Sequence, residues 1–551
     1  MVADGGISPL NRVLSSVPKR AEGRQAEQLR ETFVDSGVAA ALDSIDHPVL
    51  YGRRGTGKTH AFRYLQTVVQ DRKDISFYAD LRTIGSPEGL FLGELVAPTE
   101  RAARLLVDLL GQFHDAVLAA VVEDSELIGD TNFVAKLDAV GAAITSMQVS
   151  GDQVEVSRED ERTRSTEGGV ELGAGVSGGL PTATLGVAGK DASGERVLAK
   201  EVRRGTERRG LNFSAVAQSL RNLAKSLTSR RIWFLLDEWS SVPPDVQPYL
   251  GEFLVRCVLP LQEHVTVKIA AIEQQTNFRL RLESGEIIGL ELGADVAANV
   301  DLDEFMVFEQ NEDQARTFFR GLFYKHVTAG HEGAPEPEIS EIKTEAELIR
   351  QGFTDKRAFD ELVRAAEGVP RDAINIASRA AIRAMSGKIS VPDIRIAARA
   401  WFQSDKEPAL QGQTQALPLL NWIIDRVIRG KRARGFLVSQ GAANEPLLLA
   451  LFDARVLHVV RKGYSAQDQP GERYDVYVID YGAYVDLIQT QSAPLGTLPL
   501  GGEEEAEAPS GEGEYVEVPT QDLRAIRRAV LDLEGFSDAQ PQLAIDELTI
   551  E

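Results

Sequence analysis

The segment Gly52-Arg53-Arg54-Gly55-Thr56-Gly57-Lys58-Thr59 fits G-x-x-x-x-G-K-[ST] at every fixed position, and this leaves the flanking chain little freedom in how it folds. Glycines let the backbone curl until successive N–H groups face one point, and the positive end of a following helix adds to the field there. Such a loop works only between a buried strand and a helix. Pro48-Val49-Leu50-Tyr51 supplies the strand, and Ala61, Phe62, Leu65, Val68 and Val69 then fall at helical spacing. The chemistry implied is binding of ATP with Mg2+. Lys58 is expected to reach the β and γ phosphates and the Thr59 hydroxyl to ligate the metal. Gly52, Arg53, Arg54, Gly55, Thr56, Gly57, Lys58, Thr59 and His60 are the expected nucleotide contacts.

A magnesium–nucleotide site also needs an acid for the metal and a group to activate water. Ile232-Trp233-Phe234-Leu235-Leu236-Asp237-Glu238 offers both at the end of an apolar run that reads as a fully buried strand. Asp237 is the expected metal acid, and Glu238, with Lys58, the expected catalytic pair. Further strands are expected at Ile75 to Ala79, Val265 to Ile272 and Glu304 to Phe308. Apolar strands separated by helical segments mean an α/β fold, a parallel sheet covered on both faces.

These two motifs resemble the Walker A and Walker B elements of AAA+ ATPases. Gly368-Val369-Pro370-Arg371-Asp372-Ala373 resembles the sensor 2 motif of the origin-recognition (ORC/CDC-type) branch, which implies that Arg371 contacts the γ phosphate from a helical lid. The resemblance implies a polar sensor 1 residue after the strand at 265–272, at Glu273 or Gln274, and an arginine finger beyond it, with Arg279 and Arg281 the nearest candidates. Residues 415–488 resemble the winged-helix domain of the same branch. Arg426, Arg429, Lys431, Arg432 and Arg434 cluster before its first strand, and Arg461, Lys462 and Arg473 lie on its wing, so DNA phosphates are candidate partners. The helix that would enter a groove, Glu445 to Arg455, has no Asn, Gln, Lys or Arg before Arg455 to read base edges, which argues against sequence-specific recognition.

The resulting organisation is an N-terminal arm (1–30), an AAA+ core (31–310), a helical lid (311–405), a winged-helix-like domain (415–490), an acidic linker (491–519) and a C-terminal helix and tail (520–551), the helix itself at about 520–533. A glycine-rich insertion at 147–205 interrupts the core and reads as a β-hairpin, a small sheet or a loop. The net charge of −23 argues against wholesale binding to nucleic acid or anionic membrane, so any DNA contact is local. A single cysteine, Cys257, excludes a disulfide framework or a thiolate zinc cluster. The most apolar stretch, around 105–122, is interrupted by Asp108 and His114 as an amphipathic helix would be, and no membrane association is expected. Together these features imply a cytoplasmic ATPase that binds ATP and ADP and acts on DNA or a partner protein, or as a homo-oligomer. The alternative is a STAND-like signalling scaffold whose assembly is gated by nucleotide.

Overall fold

The computed structural model describes residues 6–21, 24–85, 96–145, 147–150, 156–159, 174–177, 180–183, 198–201, 208–227, 229–303, 311–329, 339, 341–412, 414–430, 434–443, 445–465, 472–489 and 529–537. The chain divides into two compact units, one comprising Met1–Thr83, Ser229–Val255 and Gln262–Glu551, the other Ile84–Thr228 and Arg256–Leu261.

The first unit is built on five parallel strands, β1 (Pro48–Tyr51), β2 (Ile75–Asp80), β3 (Ile232–Asp237), β4 (Val265–Ala271) and β5 (Ala297–Asp301), in the order β5-β1-β4-β3-β2. Val49 pairs with Ile269, Val267 with Phe234, and Phe77 with Phe234. Every residue of β1, β3 and β4 is buried, as the centre of a parallel sheet covered on both faces requires. The fifth strand is Ala297–Asp301. The run Glu304 to Phe308, expected in that place, lies outside the described residues.

Among the described residues after the sheet are the helices Glu312–Thr328, Glu345–Gly352, Lys356–Ala365, Pro370–Ala384 and Val391–Trp401, of which Pro370–Ala384 is labelled α1. Thr344, Asp355 and Ser390 each cap a helix start by accepting a backbone N–H, which satisfies donors that have no partner inside the helix. The N-terminal helix Pro9–Ser16 packs on α1, and Asn11 donates to the carbonyls of Met385 and Gly387 at 2.8 and 2.9 Å just beyond its C-terminus.

A three-stranded antiparallel sheet follows: β6 (Gly435–Ser439), β7 (Leu457–Ser465) and β8 (Arg473–Ile479), ordered β6-β8-β7, with helix α2 (Pro446–Asp453) between β6 and β7. Residues 529–531 are extended rather than helical as expected, because they bond to both sides of Leu437 on β6. The Leu437 amide donates to the Ala529 carbonyl and the Leu531 amide to the Leu437 carbonyl, each at 2.8 Å. A short helix occupies 533–537, and its buried Phe536 meets Trp422 edge-on, with ring centroids 6.0 Å apart. Residues 521–528 lie outside the described residues.

A buried ionic cluster joins the helices to this module. Lys406 Nζ lies 2.8 Å from Asp372 and 2.5 Å from Asp480, and His458 Nε2 lies 3.2 Å from Asp480. Burial alone would raise the Asp480 pKa, but Lys406 and His458 hold it well below the usual carboxylate range. Burial also lowers His458 to about 4, so its imidazole is neutral at physiological pH.

The second unit contains helices Pro98–Glu123, Ser125–Gly129, Thr131–Thr145 and Phe213–Ser226. The first is long and apolar enough to cross a membrane by length and composition, yet Leu105, Leu106, Leu109, Leu110, Phe113, Val117 and Val121 are buried within the unit. Three antiparallel pairs nest between the last two helices: Met147 opposite Leu211, Val156 opposite Glu201, and Ala174 opposite Ala183.

Candidate nucleotide site

The phosphate loop leaves β1 and turns into helix Lys58–Asp71. Gly55 and Gly57 have φ of +90° and +101°, where a side chain is strained, and a Cβ on Gly55 would come within 2.9 Å of the Arg371 Cβ. Lys58 is buried, and its Nζ donates to the carbonyls of Gly52 at 2.7 Å and Arg53 at 3.0 Å. Burial pushes the Lys58 pKa down, against the pull of Glu238, Asp237 and Asp303. The Thr56 hydroxyl closes the loop by donating to the Arg53 carbonyl at 2.8 Å.

Asp237 and Glu238 follow the buried run of β3. Asp237 is fully buried and accepts from the Tyr78 hydroxyl and from the Glu238 amide, each at 2.8 Å. Burial next to Asp237 raises the Tyr78 pKa, so the phenol stays protonated and keeps donating. Glu238 has φ 56° and ψ 40°, a left-handed conformation that costs a non-glycine residue about 1–2 kcal/mol. The turn aims its side chain into the cleft beside the loop, where the Arg82 guanidinium lies 3.7 Å away. Opposite, α1 begins at Pro370, and the Arg371 amide donates to the Gly55 carbonyl at 3.3 Å.

Gly55, Gly57, Lys58, Thr59, His60, Glu238 and Arg371 therefore line one cleft, with Asp237 directly behind Glu238. Sequence reasoning missed the rest of its wall: Lys19, Arg20 and Arg24 from the N-terminal arm, and Leu322, His326 and Ile374 from the helices. The basic run Pro18-Lys19-Arg20 in an acidic chain was the available signal. Five cations, Lys19, Arg20, Arg24, Lys58 and Arg371, face a single carboxylate, Glu238, an imbalance that favours a polyanion. Burial lowers the His60 pKa, against the pull of the bond between its Nε2 and the Leu29 carbonyl at 2.7 Å.

Other expected contacts are elsewhere. Arg53 is turned away from the cleft, bonding Asp303 at 3.0 Å through Nε and the Glu367 carbonyl at 2.6 Å through a terminal nitrogen. Gly52 and Arg54 also line clefts on that far side. Glu273 and Gln274 share the Gly52 side with Asp301, Asp303 and Lys462, and Glu273 pairs with Lys462. Neither lines the phosphate cleft, because the chain leaves β4 by a short 3-10 turn, Glu273–Gln275, that carries both toward β7. Arg279 and Arg281 are exposed on a strand, not a helix, that pairs with Ile287–Gly289, and Arg279 lies 3.3 Å from Glu291.

Arg434, expected on a DNA-facing surface, is 7% exposed and pairs with the fully buried Glu367, so it is unavailable to a phosphate. Its guanidinium also lies over the Tyr481 ring, 5.4 Å from the centroid. Lys462 on β7 is likewise engaged by Glu273 and by Asp301, the latter at 3.4 Å. Lys431 and Arg432 lie outside the described residues, as does the side chain of Arg429.

Residues 16–85, which span the arm, the phosphate loop and β2, match the family model described as ORC-CDC6-like. The family resemblance that the phosphate-loop motif carries is thus also found over this segment, which includes neither Asp237 nor Arg371. No curated protein matches the chain. Among solved structures, the chain is similar to the Cdc6p of Pyrobaculum aerophilum at 14% identity, with 88% of this chain and 99% of that one covered and a TM-score of 0.32. It is also similar to the Orc1 protein of Aeropyrum pernix in complex with DNA at 15% identity, covering 86% and 96%, with a TM-score of 0.25. Scores this low lend no weight to either neighbour, and the α/β fold rests on the strand order itself.

Proposed function

We propose that this chain, ORC-CDC6-like over residues 16–85, binds ATP with Mg2+ and hydrolyses it as an AAA+ switch acting on DNA or on a partner protein. The observation that carries the reading is the meeting of Lys58, Glu238 and Arg371, from three separate elements, in one cleft of cationic excess. In this reading Lys58 binds the β and γ phosphates, while Thr59 and Asp237 hold the metal shell. Glu238 activates water and Arg371 reports the γ phosphate from the lid. The test is Mg2+-dependent release of phosphate from ATP by the purified chain; no release, with no ATP binding, would end it.

Arg371 acts on the γ phosphate only, so Arg371→Ala should weaken ATP binding by about tenfold and ADP binding much less, the loss of one charge-assisted hydrogen bond. Titration with both nucleotides checks this. Equal losses would mark Arg371 as structural.

We propose that the module containing β6, β7 and β8 is winged-helix-like. With Arg434 buried against Glu367 and Lys462 paired with Glu273, any DNA contact falls to Arg426, Arg429, Lys431, Arg432, Arg461 and Arg473, and it is to phosphates. Binding to random-sequence duplex should then weaken steeply with salt. Reversing the charge of Arg429, Lys431 and Arg432 should lower the log–log slope by about 2–3, at about 0.9 per phosphate contact. Absence of binding even at low salt would leave a protein partner as the target. The engagement of both basic residues by the core also favours the second reading, a nucleotide-gated scaffold; assembly on ATP without stimulation of turnover by DNA would select it.

A further inference from the structure

Arg53 sits in the phosphate loop but takes no part in the phosphate cleft. Its guanidinium is buried and held from two sides, by the Asp303 carboxylate at 3.0 Å and the Glu367 carbonyl at 2.6 Å, while its amide donates to Asp303 at 2.9 Å. Each holder leads onward to the three-stranded module. Glu367, at φ 52° immediately before α1, buries its carboxylate against Arg434, the residue that precedes β6. Asp303 donates its amide to Asp301 at the end of β5, and Asp301 lies 3.4 Å from Lys462 on β7. Two routes of alternating hydrogen bonds and ion pairs thus run from one loop residue to the start of β6 and to β7.

The loop also has a reason to move. Lys58 Nζ donates to the Arg53 carbonyl at 3.0 Å and to the Gly52 carbonyl at 2.7 Å. A polyphosphate in the cleft competes for those same donors, because the β and γ oxygens are stronger acceptors for an ammonium than a peptide carbonyl. When Lys58 turns to phosphate, the Arg53 carbonyl loses one of its two side-chain donors and keeps the Thr56 hydroxyl at 2.8 Å, so the peptide shifts toward Thr56 and carries the guanidinium with it. Interiors packed this closely transmit such shifts rather than absorb them.

We propose that Arg53 is a positioning residue through which nucleotide at the loop is reported to the C-terminal module, by Glu367–Arg434 and by Asp303–Asp301–Lys462. This inference rests on the reading above that the loop binds ATP. It assigns Glu367 and Arg434 to coupling and removes Arg53 from the phosphate ligands.

The test is hydrogen exchange of the full chain with and without ATP and Mg2+, alongside nucleotide affinity. ATP should change the exchange of amides in 435–439 and 457–465 by about tenfold, within the range of ordinary allosteric coupling. Neutralising one member of a buried pair strands the other, so both are changed together, Glu367→Gln with Arg434→Gln. The double variant should bind ATP within about threefold of the parent and lose most of the exchange response, the remainder being carried by the Lys462 route. Lys462→Met removes the second route at a side chain 43% exposed, where folding is not at risk, and should reduce the response by about threefold. A response of parental size in the double variant overturns the proposal; if that variant does not fold, a response of parental size in Lys462→Met does so. Parental protein that binds ATP with no change in these strands overturns the coupling alone. Parental protein that binds no ATP overturns the nucleotide reading as well.

Discussion

Replacing Lys58 with alanine is expected to lower ATP affinity by at least about a hundredfold, since more than one charge-assisted hydrogen bond to the phosphates is lost at about 1.5–3 kcal/mol each. The same ammonium ties the Gly52 and Arg53 carbonyls together, so the alanine variant also loosens the loop. Lys58→Met separates the loss of the ammonium from the cavity that alanine leaves. It keeps most of the side-chain volume in a buried position while removing the charge and both donated hydrogen bonds, and its ATP affinity should fall nearly as far as that of the alanine variant. Calorimetric titration, with melting curves for each variant, checks both. Affinity retained in Lys58→Met would mean that the cationic cleft does not hold the β and γ phosphates.

The parts of this site that are local in sequence were legible there. The loop from Gly52 to Thr59, the strand before it and the Asp237-Glu238 pair after a buried run each need only their own neighbours to be recognised. What was not legible depends on distant partners. Arg434 reads as one more arginine in a basic stretch until the chain folds and places Glu367 against it. Glu273 reads as a sensor until Lys462, 189 residues later, takes its carboxylate. The stretch 529–531 carries a helical pattern, yet the unpaired edge of β6 claims its backbone, because an open strand edge offers hydrogen bonds that a short isolated helix cannot match. The cations of the N-terminal arm were visible as charge, and only the packing of Pro9–Ser16 on α1 identifies the cleft they serve.

Glu238 is the residue whose substitution best separates chemistry from binding. Its left-handed backbone aims the carboxylate into the cleft, while its amide is spent on Asp237, whose other oxygen is fixed by Tyr78. Glutamine keeps the length, the backbone and the amide bond to Asp237, but it cannot take a proton from water near neutral pH. Glu238→Gln is therefore expected to slow ATP hydrolysis by about a hundredfold to a thousandfold, the usual contribution of a general base. Its ATP affinity should stay within about threefold of the parent or tighten slightly, because a negative charge facing the γ phosphate has been removed. The two rates come from phosphate release at saturating ATP, and the affinity from equilibrium titration of the same preparation. Arg82, 3.7 Å from the carboxylate, is a control: Arg82→Ala alters the orientation of Glu238 without removing the base, so its loss of rate should be much smaller. Turnover in Glu238→Gln equal to that of the parent would remove this glutamate from the reaction. The water-activating group would then have to be sought elsewhere in the cleft, whose lining also offers the imidazoles of His60 and His326.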